Sequence, residues 1–222
     1  MNVLVIAAHP DDETLGCGGT LLKHRAQGDR ICWLIATRAS GSQWPETLVR
    51  RKTAEIARVT RAYGFSRVQQ LDFPATQLDA APAAKLIARI DAAVRAVKPQ
   101  VVYLVHRGDV HTDHQAVFRA ATAVLKSFYM RRHGVRRILS YETISSTDAA
   151  PQAAADAFLP TVFVDITPHL NRKLRILSLY RSELHAEPLP RTASAVRALA
   201  RVRGATVGMR YAEAFVLVRE VS

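Results

Sequence analysis

Short apolar runs rich in valine, isoleucine and leucine alternate along this chain with longer segments whose apolar residues recur at helical spacing. This alternation constrains the fold strongly, because it is typical of βαβ units built on a parallel sheet. Seven strands are predicted, at residues 2–8, 30–37, 67–72, 100–105, 137–142, 161–166 and 211–220. Helices are predicted between and beside them, at residues 14–28, 46–63, 82–97, 114–130, 168–184 and 191–203.

This order of elements predicts a Rossmann-like, three-layer α/β/α fold with a mostly parallel sheet. Gly28 and Gly64 follow the first two predicted helices, and Pro82 stands where it can open the third. The length suits a single domain over residues 1–222, in which the helix-rich part at 168–222 completes the fold. Ligands of such sheets bind at the carboxyl ends of the strands, so the turns that follow the strands are expected to carry the active site.

The formal charge of +12 raises the question of a nucleic-acid partner, because basic surfaces attract phosphates. Most of the basic residues are single arginines spread along amphipathic helical segments. The one dense basic run, at residues 131–137, has no interleaved aromatic residues on which bases could stack. We therefore expect no nucleic-acid partner and a solvated basic surface.

The chain contains two cysteines, Cys17 and Cys32, and both fall inside predicted apolar elements. A disulfide framework is therefore excluded, and a cytoplasmic location is favoured. The first apolar run is only about seven residues long and is followed by acidic residues, which predicts neither a signal peptide nor a transmembrane segment.

The turn after the first strand concentrates acids beside an imidazole, in the run His9-Pro10-Asp11-Asp12-Glu13. One carboxylate here could simply cap the following helix. Capping needs neither a histidine nor three acids, however, and acids packed together repel each other unless a cation or a proton intervenes. The run therefore indicates a metal site or a catalytic site.

The turn after the fourth strand carries a second polar run, with His111 and His114 on either side of Asp113. Parallel strands bring the turns that follow them to the same edge of the sheet, so the two runs are expected to converge. Imidazole nitrogens and carboxylate oxygens are ligands that suit zinc, and a catalytic zinc site keeps one position open for water.

Together these runs resemble the PIG-L/LmbE-like family of zinc-dependent de-N-acetylases, which act on N-acetylglucosamine attached to various carriers. The resemblance rests on AHPDDETLGCGGTL, on the downstream HTDH, and more weakly on YETISST, FVDIT, KLRILSLYRSEL and YAEAF. It implies that this chain is a metal-dependent N-deacetylase that removes an acetyl group from a small-molecule amino-sugar conjugate. Members of the family form several assemblies, so a homo-oligomer is an open option.

The resemblance also implies a role for each residue of the two runs. His9, Asp12 and His114 would hold one Zn²⁺ per chain, although this ligand set would also accept ferrous iron or cobalt. Asp11 would be the general base, which spacing alone does not distinguish from Asp12. His111, as a cationic imidazole oriented by Asp113, would stabilise the oxyanion or protonate the leaving amine.

Substrate contacts are less specified by the sequence. Family members commonly carry an acidic or small polar loop after the second strand, whereas this chain has Arg38 there. Arg38 would then meet sugar hydroxyls or an anionic group. Arg51 is another candidate, because Arg51 and Glu55 lie one turn apart on the second predicted helix and resemble the Arg/Glu-bearing helix of the family. A surface ion pair explains this spacing equally well. Glu142, at the end of the fifth strand, is a further candidate for contact with the substrate.

Two alternatives remain open. The same catalytic residues would serve an amidase that cleaves a larger acyl group or a thiol-conjugate amide. A basic nucleic-acid or membrane-surface binding module with a structural metal is the alternative from a different class. Structural zinc usually has four protein ligands rich in cysteine, which this cluster lacks.

Overall fold

The computed structural model describes residues 1–41, 43–151 and 153–222 of the chain. Its strands, numbered β1 to β7 in chain order, are Asn2–Ala7, Arg30–Arg38, Arg67–Pro74, Val101–Val105, Arg137–Tyr141, Val162–Asp165 and Ala212–Glu220. Its helices, numbered α1 to α7, are Asp12–Ala26, Glu46–Tyr63, Ala83–Val97, Thr112–Val124, Ser127–His133, Leu170–Leu177 and Ala193–Ala205.

All seven strands belong to one sheet, in the order β3-β2-β1-β4-β5-β7-β6. The first five run parallel, and β7 pairs antiparallel with both β5 and β6. Helices α3 and α4 pack together, whereas α1 packs against α2 and α6, and α6 packs against α7. The predicted three-layer fold with a mostly parallel sheet is therefore confirmed. The two antiparallel pairings are those of β7 with its neighbours β5 and β6.

The strands of the sheet centre read as continuous apolar runs because both of their faces are covered by helices. In β1, every residue from Val3 to Ala7 is at most 1% exposed. Cys17 and Cys32 are buried free thiols, as their apolar contexts predict. No helix in the described part of the chain is both long enough and apolar enough to span a membrane.

Two predicted helices are shorter than their patterns indicated. The pattern at 114–130 is divided between α4 and α5, and the break allows both Leu125 and Met130 to be fully buried. The pattern at 168–184 forms a helix only over Leu170–Leu177. Beyond it, the chain leaves the helix so that the hydroxyl of Tyr180 donates a hydrogen bond to the buried carboxylate of Glu13.

The glycines of α1 permit close packing of this helix against its neighbours. A Cβ at Gly16 would collide with the ring of Tyr141, and one at Gly19 would lie 2.7 Å from Cγ2 of Ile166. The amino end of α1, which carries Asp12, is thereby held close to the sheet.

Candidate active site

The sheet geometry brings the two polar turns together. Strands β1 and β4 are parallel neighbours, with Ile6 opposite Leu104, so the turns that follow them open at the same edge. From β1 the chain proceeds outward through β2 to β3 and then returns to β4 on the other side. The crevice between β1 and β4 is therefore the topological switch point, where ligands of such sheets bind.

Asp12, the first residue of α1, is fixed by the turn that precedes it. Its Oδ2 accepts hydrogen bonds from the backbone N–H groups of Ala8, at 3.0 Å, and His9, at 2.8 Å. Its Oδ1 lies 3.3 Å from Nε2 of His114. Burial acts to raise the pKa of Asp12, but the His114 and His9 rings outweigh it and the pKa lies below its usual value. The side chain is therefore a buried, ionised carboxylate.

The two histidines beside Asp12 are each oriented by a further carboxylate. Nδ1 of His114 donates to Oδ2 of Asp109 at 3.0 Å, and Nε2 of His9 donates to Oδ2 of Asp113 at 2.8 Å. These bonds fix the ring orientations and leave the other nitrogen of each ring for Asp12 or a cation. Carboxylates in this position are typical of metal-binding histidines.

His9, Asp12 and His114 fit a metal ion. Their ligand atoms lie within 4.8 Å of one another, and Nδ1 of His9 is 3.9 Å from Oδ2 of Asp12. Nε2 of His114 is buried and has no hydrogen-bond partner among the described residues. Burial acts to lower the pKa of His114, but Asp12 and Asp109 raise it to about 10. The surroundings of this nitrogen therefore favour a positive charge, whether a proton or a metal ion.

A second group, formed by His9, His111 and Asp113, also brings three potential ligand atoms together. In that group Oδ2 of Asp113 already accepts hydrogen bonds from His9 and from the backbone N–H of Thr76, at 2.7 Å. Its Oδ1 accepts another from the backbone N–H of Leu78, at 2.9 Å. The first group is therefore the better metal site.

Asp11 is placed differently from its neighbour Asp12. Its backbone adopts a left-handed conformation, with φ of 117°, and its carboxylate lines a cavity beside the histidines. Burial raises the pKa of Asp11 well above its usual value, although an ion pair with Arg191 at 3.1 Å opposes the shift. Asp11 is thus a carboxylate that can accept a proton at the cavity wall.

His111 caps the amino end of α4 and points into the same cavity. Its Nδ1 accepts a hydrogen bond from the backbone N–H of Asp113 at 3.2 Å, so in the neutral ring the proton resides on Nε2. Burial and the nearby rings of His9 and His114 lower the pKa of His111. The structure therefore favours a neutral hydrogen-bond donor instead of the expected cationic imidazole.

The contacts of Asp113 differ from the prediction that it orients His111. Its carboxylate bonds to the ring of His9 and to two backbone N–H groups, whereas only its own backbone N–H meets His111. The difference arises because Asp113 lies in the first turn of α4, where its side chain is directed toward the residues that follow β3. Asp113 thus supports a candidate metal ligand.

The cavity beside these side chains has a volume of about 400 Å³. One wall comes from the ends of β2 and β3, another from α2 and the loop before it, and a third from the chain beyond α6. His9, Asp11 and His111 lie on its lining, together with Trp44 and Ile56. It can therefore hold a small molecule against the proposed catalytic groups.

Of the three predicted substrate contacts, only Arg38 lines this cavity. Arg51 is exposed on α2, and the cavity is lined instead by the next residue, Lys52. Glu142 makes two hydrogen bonds to Arg203, at 2.7 and 2.6 Å, on a different part of the surface. A substrate role for Arg51 or Glu142 therefore has no support from the geometry, because the helix turn and the ion pair direct them elsewhere.

Several polar residues of the site had not been singled out from the sequence. Asp109 lies in the same turn as His111, and its closeness to the histidines was a usable signal. Arg191 is 180 positions from Asp11 in the chain, and no local pattern marks it. The Lys52–Glu183 ion pair likewise joins residues that are 131 positions apart.

The sequence of this chain is similar to those of several known proteins. Residues 4–125 match the family described as PIG-L: GlcNAc-PI de-N-acetylase. The diacetylchitobiose deacetylase of Thermococcus kodakarensis is 28% identical over 95% of this chain and 80% of its own length. The uncharacterized deacetylase YaiS of Escherichia coli is 27% identical over 81% of this chain and 90% of its own.

Among solved structures, a conserved protein from Thermus thermophilus superposes with a TM-score of 0.77 and 29% identity. The match covers 99% of this chain and 96% of that protein. The likeness therefore extends over all seven strands and over the chain beyond residue 125, which the family match does not reach.

Proposed function

The chain belongs to the PIG-L family, and on this premise we propose that it is a zinc-dependent hydrolase that removes the N-acetyl group from an N-acetylglucosamine-type conjugate. The observation that carries the proposal is the buried Nε2 of His114, which has no hydrogen-bond partner among the described residues and lies 3.3 Å from Oδ1 of Asp12. A proton-accepting carboxylate, Asp11, stands beside this pair at the wall of a cavity.

His9, Asp12 and His114 would hold the metal, with Asp113 and Asp109 orienting the two rings. Zinc bound there would act as a Lewis acid and would make water a nucleophile near neutral pH. The donor set also suits ferrous iron or cobalt, so zinc as the metal that is bound in the cell is itself part of the proposal.

The remaining steps fall to residues of the chain. Asp11 accepts the proton of the attacking water at Oδ1 or Oδ2 and returns it to the leaving amine, as a general base that becomes a general acid. Arg191 donates a hydrogen bond to Oδ2 of Asp11 and so orients the carboxylate. Nε2–H of His111 donates to the carbonyl oxygen as negative charge develops on it.

We also propose that residues 1–222 form one domain. His9 and Asp11 come from the first turn of the sheet, whereas Glu183 and Arg191, on the same cavity wall, come from the chain beyond α6. The substrate would therefore bind between parts of the chain that are far apart in sequence.

The test compares Asp11→Asn with Asp12→Asn. The Asp11→Asn variant is expected to keep about one metal per chain, and its kcat is expected to fall at least ~100-fold because the base is lost. The Asp12→Asn variant is expected to lose most of the metal, since a charged ligand is removed. Metal content is measured by elemental analysis, and free-amine release is measured on N-acetylglucosamine derivatives and on amides with larger acyl groups.

A reversed result, with metal lost from the Asp11 variant and retained by the Asp12 variant, would contradict the assignment of roles. Release from the larger amides with none from acetyl sugars would instead favour the amidase of wider acyl specificity.

A further inference from the structure

The carboxylate of Asp11, the proposed base, is oriented by a single side chain. Among the residues that the structure describes, only Arg191 donates a hydrogen bond to it, from Nη1 to Oδ2 at 3.1 Å. Arg191 lies between α6 and α7, in a stretch that forms neither helix nor strand. No regular element holds Arg191 in place, so the direction of the Asp11 carboxylate depends on what else contacts the Arg191 guanidinium.

Two further side chains contact this guanidinium. Its Nε donates to Oγ of Ser145 at 2.7 Å, and its Nη1 lies 3.4 Å from Oε2 of Glu183. Nη1 is therefore shared between the carboxylates of Glu183 and Asp11. The side chains of Arg191 and Glu183 are 23% and 19% exposed, so solvent weakens their contact less than it weakens a surface ion pair.

Glu183 is held in turn by helix α2. Glu55, which is 1% exposed, accepts the backbone N–H of Ser182 at 3.1 Å and the Ser182 hydroxyl at 2.6 Å. This anchors the residue directly before Glu183. One turn earlier in α2, Lys52 pairs with Oε1 of Glu183, while Oε2 faces Arg191. Both the backbone and the carboxylate of Glu183 are thus fixed from α2.

We propose that Glu183 is a positioning residue, which holds the guanidinium of Arg191 where it orients the carboxylate of Asp11. The proposal rests on the proposed deacetylation and assigns a further residue to it. Charges of alternating sign then run from Lys52 through Glu183 and Arg191 to Asp11, and so connect α2 with the turn after β1. A base that is already oriented does not have to find its direction when the substrate binds, which lowers the barrier to proton transfer.

The first experiment measures kcat and KM of Glu183→Ala with the N-acetylglucosamine derivative that the zinc-loaded parent hydrolyses. We expect kcat to fall about tenfold and KM to stay within about threefold, because the base is misdirected while the substrate still binds. Metal content is expected to stay at about one per chain. A raised KM with an unchanged kcat would overturn the proposal, since Glu183 would then contact the substrate instead.

A double-mutant cycle tests whether Glu183 acts through Arg191. In the background of Arg191→Ala, the change Glu183→Ala is expected to lower kcat by less than about twofold, because the side chain that it positions is already absent. A further tenfold loss in this background would show that Glu183 acts by another route and would overturn the proposal.

Glu187→Ala is the matched control. It removes an exposed carboxylate from the same stretch between α6 and α7, one that bonds to Ser194 and does not line the cavity. Its kcat is expected to stay within about twofold of the parent. A loss as large as that of Glu183→Ala would mean that any lost carboxylate in this stretch has the same effect, which would contradict a specific role for Glu183.

Crystal structures of the zinc-loaded parent and of Glu183→Ala provide a readout that needs no turnover. In the variant, Nη1 of Arg191 is expected to move beyond about 3.5 Å from Oδ2 of Asp11. A contact that is unchanged in the variant would overturn the positioning role while deacetylation itself stands. If the parent hydrolyses no amino-sugar amide, the proposed function fails, and the two structures still decide whether Glu183 positions Arg191 against Asp11.

Discussion

The third acid of the first turn, Glu13, stabilises the left-handed backbone conformation of Asp11, which residues with a Cβ seldom adopt. Such conformations cost about 1–3 kcal/mol and persist only where their surroundings impose them. Oε2 of Glu13 accepts the backbone N–H of Asp11 at 3.1 Å, while Tyr180 donates to Oε1 at 2.7 Å. Glu13 is fully buried, and burial raises its pKa to about 7.

We therefore predict that Glu13→Ala lowers kcat about 10- to 100-fold, because the loss of this hydrogen bond releases Asp11 from its position. KM and metal content are expected to change little, since the Glu13 side chain is not on the cavity lining and its hydrogen bonds go to Asp11, Thr14 and Tyr180. Glu13→Gln, which retains an acceptor, should recover most of the loss. Steady-state kinetics with parallel metal analysis measure this. Full turnover by the alanine variant would show that Asp11 needs no such support.

At the scale of single elements, α1 is interrupted in the turns that follow Asp12. Cys17 has a non-helical backbone, with φ of −137°. The carboxylate of Glu213, in β7, accepts the freed N–H groups of Gly19 and Thr20 at 2.8 and 2.7 Å. Lys173, in α6, pairs with Glu213 at 2.7 Å and also donates to the carbonyl of Leu15. The buried Glu213–Lys173 ion pair thus provides hydrogen-bond partners for the backbone groups that the break in the helix leaves unpaired.

Glu213→Ala is predicted to lower the free energy of unfolding by about 3–5 kcal/mol, because Lys173 would be left as a buried charge without a partner. Urea unfolding measures the change. Glu220→Ala removes an exposed carboxylate from the same strand, where its partner Arg137 is only partly buried, and is expected to cost less than about 1 kcal/mol. Equal effects of the two variants would contradict a structural role for the buried pair.

At the scale of the whole molecule, the proposed metal ligands connect the turn after β1 with the turn after β4. His9 and His114 belong to different turns that are far apart in the chain, so a metal that binds both is bound by the folded state and only weakly by the unfolded chain. Binding at about 100 times Kd stabilises a fold by about 2.7 kcal/mol, and this shifts the Tm of a chain of this size by roughly 5–10 °C.

We therefore expect added zinc to raise Tm by that amount over protein treated with a chelator. His114→Ala should abolish the shift, whereas His185→Ala, at an exposed position that does not line the cavity, should retain it. Differential scanning calorimetry measures all three proteins. A zinc shift that persists in His114→Ala would locate the metal elsewhere.

The sequence by itself determined the order of the elements and the meeting of the two polar turns. Apolar periodicity reports which face of a local segment is buried, and parallel strands bring the turns that follow them to one edge. The two turns could therefore be expected to meet, and the resemblance to a known family then selected His9, Asp12 and His114 from them. The structure brings these three within ligand distance of each other.

Only the tertiary structure decided which side chains pair with one another. Asp113 orients His9 instead of His111, Glu142 is paired with Arg203, and Arg191 reaches Asp11 from the far end of the chain. Periodicity carries no information on such contacts, because they depend on the packing of elements that lie 61 to 180 residues apart, and that packing is fixed only when the whole core is buried.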